Sequence, residues 1–515
     1  MTLVQTRPRR MAARSMLGAL GLSAVIGCGG EDSTVLPPAT PAGEDPVEAA
    51  GVTGSGPGPS ELVVPSEYWE DGATVNGLSA DVDDRFHGVT IDADDNVYAV
   101  GYLGNGVDAN RVMVVAKYDG AGQPVAAFGS SGRVELDFSS YQGTPVSETV
   151  ETADPSLEEA RDVGLQSDGK LVVVGRAEDP SVLGPTVDTP IDILVFRLNA
   201  DGTRDESFGQ AGVVQLNPGG GINDLAWSLD IGADDRIYIF GHGTATNPAD
   251  AETPRTDQDR YVWRLNPDGT PDTTFGVDGV YTFDTPEDEE GLGLNDNQRR
   301  GSVLPSGQIV TGGYTNVGGR NQIVLARLLS NGSPDTSFSA DGVVRITPFA
   351  TGMAECYGVA LQSDGSMVTT GYGNLDVERT GGSELLDMVS FRVSPDGSPD
   401  PTWGVSGAVV YDPAGAEDRG RAVVALADDR ILYAGAATVV PGNKDAMLLL
   451  VDADGAPAVE FDPALHKSYD FGGANEEFFS VKVSPSGRFV AAAGYAQGTG
   501  LPNGNAILAI VPILQ

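Results

Sequence analysis

Cysteine is nearly absent from this 515-residue chain: Cys28 and Cys356 are the only two, too few for the disulfide framework that staples small secreted domains. Histidine is almost as scarce, with His87, His242 and His466, so a site built on several imidazoles is thinly supplied. Positive charge is short as well, 31 Lys and Arg against 73 Asp and Glu, for a net charge of −42. A surface of that sign argues against DNA, RNA and anionic lipid head groups, whose phosphates it repels, and leaves cations and basic or neutral ligands. No GxSxG, HExxH, Walker or dinucleotide fingerprint stands in a supporting context. What abounds is turn-forming sequence, 69 Gly and 33 Pro with 40% hydrophobic residues, which suits many short strands around a sizeable core.

The N-terminus reads as an export signal over residues 1–27. Arg7, Arg9, Arg10 and Arg14 precede a short apolar run, Ser15–Gly27, well below the about 20 residues of a membrane-spanning helix. The run ends in Val25-Ile26-Gly27-Cys28, which resembles the bacterial lipobox. That resemblance implies diacylated Cys28 as the mature N-terminus, a membrane partner through the lipid anchor, and a cell-envelope location. Gly29 rather than Asp after the cysteine points to the outer membrane. Cleavage would leave 27 basic residues against 73 acidic. Residues 28–61, rich in Pro, Gly, Ala and acid and free of aromatics, read as a disordered tether. Cys356, with no partner once Cys28 is acylated, reads as a small buried residue rather than a nucleophile.

Residues 62–515 carry a repeat. A strand, a tight Asp-Gly-type turn and a second strand ending in Gly recur seven times, as in GVTIDADDNVYAVG (88–101) and VGLQSDGKLVVVG (163–175). A third strand follows each hairpin. Six of them run into an aromatic, Phe128, Phe208, Phe275, Phe338, Trp403 or Phe461, and the first five aromatics have a glycine four positions later. The seventh copy ends without this unit, and Tyr68-Trp69-Glu70-Asp71-Gly72 supplies the same spacing at the N-terminus. The spacing predicts an all-β fold, a seven-bladed β-propeller of four-stranded blades whose last blade is closed by the N-terminal strand, leaving no open edge. EARDVGLQSDGKLVVVG, DILVFRLNADGTRDESFGQAGVV and RYVWRLNPDGTPDTTFGVDGVYTFD resemble the delta-60 repeat family of bacterial surface and secreted proteins. The resemblance implies a propeller-like fold and no biochemical role.

In such a ring the D–A and B–C connections share one face, and here they are the long, variable ones, which is where a rigid scaffold usually carries its site. Two recurrences lie there. Asp84, Glu158, Asp224, Asp296, Asp418 and Glu476, with Glu355 one position later in its repeat, form a candidate ring for a divalent cation such as calcium or for a basic ligand. Read as blade-building residues, the same carboxylates accept hydrogen bonds from loop amides. Tyr102, His242, Tyr314, Tyr372 and Tyr495 follow the glycines that end the second strands and form a candidate aromatic rim for a protein, peptide or glycan; packed between blades they would be structural. The Asp-rich C–D turns lack calcium-loop spacing and read as plain β-turns. The expectation is a non-enzymatic binding or scaffold module with no nucleic-acid partner and no catalytic residues. The alternative is a metal-dependent hydrolase or lyase at the channel mouth.

Overall fold

Alternating β-branched and small residues around Asp-Gly turns produce antiparallel hairpins along the whole described chain. The computed structural model describes residues 83–104, 111–138, 158–178, 191–217, 224–245, 257–285, 294–347, 352–374, 386–412, 416–440, 442–456, 466–469, 471, 473–498 and 504–512. The lipobox cysteine, the tether, the N-terminal strand and Phe461 lie outside them. Every element among the described residues is a strand. The first sheet runs Arg85–Ile91, Val97–Gly104, Arg111–Tyr118, Arg133–Leu136 in chain order, each strand antiparallel to the next. Sheets beginning at Glu159–Leu165, Leu225–Ile231 and Asp296–Val303 repeat this four-stranded order, and the one beginning at Met353–Leu361 repeats it with a broken third strand. The last two units, beginning at Arg419–Ala425 and Gly473–Val483, are joined into one hydrogen-bonded sheet by a single parallel bridge between Lys444 and Asn475.

Apolar faces of consecutive sheets pack on each other. Phe138, Phe196 and Val115 lie between the first two sheets, and Trp263, Val195 and Ile239 between the next pair. The last unit packs back on the first: Phe489, Ala491 and Leu508 meet Phe86, Val89 and Val114. The opening strands contact one another in sequence, the last touching the first, and so form an inner ring around a channel. At the periphery Phe128, Phe208, Phe275, Phe338 and Trp403 are buried. The residue after each aromatic donates its amide to a carbonyl in the next sheet's turn, Gly129 to Asp201 and Gly209 to Asp268 at 2.8 Å, Gly276 to Asn331 at 2.9 Å.

The Asp-rich turns are plain turns: Asp201 Oδ1 accepts from the Thr203 amide at 2.9 Å and its hydroxyl at 2.7 Å. Cys356 is fully buried, and burial pushes its thiol up to about 12, which makes it inert.

Candidate functional site

Each inner strand carries a β-bulge near its start. The pairing with the second strand slips at His87, Arg161, Trp227, Arg299 with Arg300, Tyr357, Arg421 and Phe479. A bulge leaves a residue without a ladder partner and re-aims its side chain. Here the re-aimed side chains line a channel cavity of about 410 Å³. Opposite each bulge stands the recurrent glycine, which does not end the second strand as expected but lies inside it, as Gly101 does in Val97–Gly104. A Cβ at Gly101 would run into the Arg85 carbonyl oxygen, and one at Gly435 into that of Arg419. The recurrent glycine is therefore the imprint of the bulge in the sequence.

The cavity walls are cationic. Arg85, Arg111, Arg161, Arg299, Arg300, Arg419, Arg421 and Lys444 stand there against two carboxylates, Glu159 and Glu477, with His87 and the rings of Tyr102, Trp227, Tyr357, Phe479 and Tyr495 between them. Its lining comes from the starts of the inner strands and the later parts of the second strands. Arg300 leaves the inner strand Asp296–Val303 and reaches elements that do not neighbour it: its Nη1 lies 3.5 Å from Asp162 Oδ2 and its Nη2 donates to the Phe479 carbonyl at 3.0 Å. It thus spans the channel.

Charge pairing is asymmetric around the wall. Glu159 meets Arg111, Arg161 and Arg176; burial works to raise its pKa, but the surrounding basic groups, Arg161 foremost, hold the carboxyl well below the usual carboxylate range. Glu477 accepts from Arg421 Nε at 2.6 Å and is likewise lowered against its burial. His87 is 8% exposed. Burial first and the Arg161 charge second keep its pKa well below 6.5, so the imidazole is neutral. Its Nδ1 lies 3.2 Å from the Ala160 carbonyl oxygen. A carbonyl only accepts, so Nδ1 carries the proton and Nε2 a lone pair. Burial raises the phenols of Tyr102 and Tyr495, and Tyr102 donates to Asp83 Oδ2 at 2.6 Å.

The candidate carboxylate ring does not line this well. Asp84, Glu158, Asp224, Asp296, Asp418 and Glu476 are fully buried and turned to backbone amides: Asp84 to Gly104 at 3.1 Å, Glu158 to Phe138 at 2.7 Å, Asp224 to Thr244 at 3.2 Å, Asp296 to Thr285 at 2.6 Å, Asp418 to Thr438 at 2.8 Å and Glu476 to Phe471 at 2.8 Å. They hold the strand starts. Glu355 is not their equivalent. It pairs with Tyr372 as Glu159 pairs with Arg176 and Glu477 with Tyr495, one register position further on. Since neighbouring strand residues point to opposite sides, the channel is faced by the residues just after the expected ones: Arg85, Glu159, Arg419 and Glu477.

Of the candidate rim, Tyr102 and Tyr495 line the well. The others stand behind the bulge side chains. Tyr372 is 2.9 Å from the Tyr357 hydroxyl, Tyr314 accepts from Arg299 at 2.8 Å, and His242 lies against Trp227 with ring centroids 6.3 Å apart. Sequence reasoning missed the arginines because it weighed net charge: the acidic total hides a cationic interior. The expectation that basic or neutral ligands suit the molecule is corrected accordingly for this well.

The profile of a family described as a domain of unknown function (DUF5122) beta-propeller matches residues 166–208, 233–275 and 304–338, three copies of the repeat. No curated protein matches the chain in sequence. Among solved structures, the polysaccharide lyase Uly1 is 10% identical over 85% of this chain and 91% of its own, with a TM-score of 0.47. An ulvan lyase of polysaccharide lyase family PL25 is 11% identical over 85% and 96%, TM-score 0.47. The Hadza microbial sialidase Hz136 is 9% identical over 70% and 65%, TM-score 0.41. The expectation of a non-enzymatic module is corrected: the well of this chain holds a neutral imidazole, two ion-paired carboxylates and eight cations, and the three neighbours, alike in fold, bear the names of glycan-processing enzymes.

Proposed function

We propose that the chain is a metal-independent lyase that cleaves an acidic, uronate-bearing polysaccharide by β-elimination in the channel well. The observation that carries this reading is a neutral, buried imidazole with a lone pair on Nε2, set among guanidiniums. Cations along the wall neutralise the substrate's carboxylate and so acidify the neighbouring C–H. His87 Nε2 takes that proton, the electron pair becomes a C=C bond, and the C–O bond to the leaving sugar breaks. The imidazolium returns the proton to the leaving oxygen. Aromatic walls give the sugar rings flat surfaces to lie on.

Glycoside hydrolysis fits the same lining less well. It needs one carboxylic acid held protonated beside a second carboxylate, whereas Glu159 and Glu477 are both ion-paired and both lowered. A divalent cation would meet eight like charges and no carboxylate that is not already paired. The test is turnover on a panel of polyuronate, sulfated and neutral polysaccharides in the presence of a chelator. Unsaturated product from the polyuronate supports the reading; turnover of the neutral polymer alone, or loss of turnover on chelation, overturns it.

The setting of this activity is part of the proposal. The ring is taken as seven blades of delta-60 type, the three described strands of the last blade being completed from within residues 62–80. Cys28 is taken as the lipid anchor that holds the ring to the cell envelope, at the outer membrane, where extracellular polysaccharide is met.

A further inference from the structure

Three bulge positions hold arginines that occupy equivalent places, and two of them have a carboxylate partner. Arg161 pairs with Glu159, two residues earlier on its own strand, and Arg421 pairs with Glu477, two residues before the next strand's bulge residue. Arg299 has no carboxylate within ion-pair distance among the described residues. The carboxylate at the matching place is Glu355, two residues before Tyr357, and it accepts instead from Asn321 Nδ2 at 2.6 Å. It acts on Arg299 only through space.

Arg299 is 5% exposed and lines the well. Its Nη2 donates to the Tyr314 hydroxyl at 2.8 Å, and the Tyr357 hydroxyl is 3.4 Å away. Its Nε is buried with no acceptor. The guanidinium carbon sits 4.1 Å from the Trp227 ring centroid, 4.7 Å from that of Tyr357 and 4.9 Å from that of Tyr314. Ring faces attract a cation but do not cancel its charge, and a guanidinium kept from water without a counter-ion is costly unless something neutralises it. Every other cation of the wall has a carboxylate within 4 Å.

We propose that Arg299 is the receptor for the ligand's anionic group, a carboxylate or a sulfate, in a subsite walled by Trp227, Tyr314 and Tyr357. Arg299 offers a planar fork that matches either oxyanion, and the flanking rings hold the fork in place and exclude water. The inference rests on reading the well as the site of an acidic glycan, and it names the side chain that selects the acid.

Calorimetric titration tests it, with His87→Gln protein used throughout to stop turnover. The probes are a sulfated uronate trisaccharide, its desulfated form and its carboxyl-reduced form. Adding Arg299→Gln is expected to weaken the charged trisaccharide at least thirtyfold. The form whose binding no longer responds to Arg299→Gln identifies the group that was removed. Arg85→Gln, at a wall cation already paired with Asp83, is expected to weaken it by a smaller factor, under tenfold, and melting curves verify that both variants fold. Equal losses for Arg85→Gln and Arg299→Gln, or no loss for Arg299→Gln, overturn the subsite. If Arg299-dependent binding is found while the parent protein makes no unsaturated product, the elimination reading falls and the subsite stands. If turnover is found without Arg299 dependence, only the subsite falls.

Discussion

His87 is held neutral by burial and by the Arg161 charge, while the Ala160 carbonyl keeps its proton on Nδ1. A base with a lowered pKa is in its working, unprotonated form at every pH above that value. The kcat/KM profile on a polyuronate is therefore expected to stay flat as pH falls through 6.5 and to drop only in more acid solution; a drop centred at 6.5 or above would assign the base elsewhere. His87→Gln is expected to lower kcat by about 10²–10⁴-fold and leave KM within a few-fold. The buried carboxylates behave in the opposite sense. Burial pushes Asp224 up to about 7 and Asp418 up to about 8. A raised folded-state pKa gives stability that is fully present below the unfolded value near 4 and is lost as pH rises through the folded one. Melting temperature should thus decline between pH 4 and 8, and Asp224→Asn with Asp418→Asn should flatten that decline. An unchanged slope in the double variant would mean these carboxyls ionise without cost.

At the scale of the strand, the bulge decides which side chains reach the channel, and it does so through backbone contact. Gly101 lies against the Arg85 carbonyl where the first strand bulges at His87. Gly101→Ala should cost about 2–4 kcal/mol, read from denaturant unfolding, and should lower turnover by moving His87. A variant as stable and active as the parent would mean the bulge is not what aims the imidazole. The hairpins and turns were legible in the sequence because they are local: an Asp-Gly pair between alternating residues fixes them over a dozen positions. The recurring glycine was legible too, but its reason was not. The bulge is a mismatch between two strands, and it moves the channel-facing set by one residue, from Asp84, Glu158 and Glu476 to Arg85, Glu159 and Glu477. A period-two pattern gives no warning of such a slip. The amide partners of the expected carboxylate ring come from the far end of the paired second strand, as Gly104 does for Asp84, or from the segment before the inner strand, as Phe138 does for Glu158, and a strand pattern marks neither.

For the whole molecule, net charge proved a poor guide to the site. The acidic residues spread over turns and strand starts, while arginines gather in the channel, so an anionic ligand meets an outer field of one sign and a well of the other. Raising ionic strength should weaken binding in the well less than it eases approach from outside. The association rate of the sulfated trisaccharide is then expected to rise with salt while dissociation also quickens; an association rate that falls with salt would mean that the cations of the well, and not the acidic exterior, govern approach. Closure is tested by deleting residues 62–80, proposed to complete the last blade: the truncated protein should aggregate or melt well below the parent, and one that melts like the parent would leave the last sheet at three strands. The central claim, elimination on an acidic glycan without an added metal, is tested most directly by cleaving a polyuronate in heavy-oxygen water with a chelator present and weighing the products. The account predicts new ends that carry a C=C bond and no heavy oxygen. Heavy oxygen at the cleaved bond would mean hydrolysis and would contradict it.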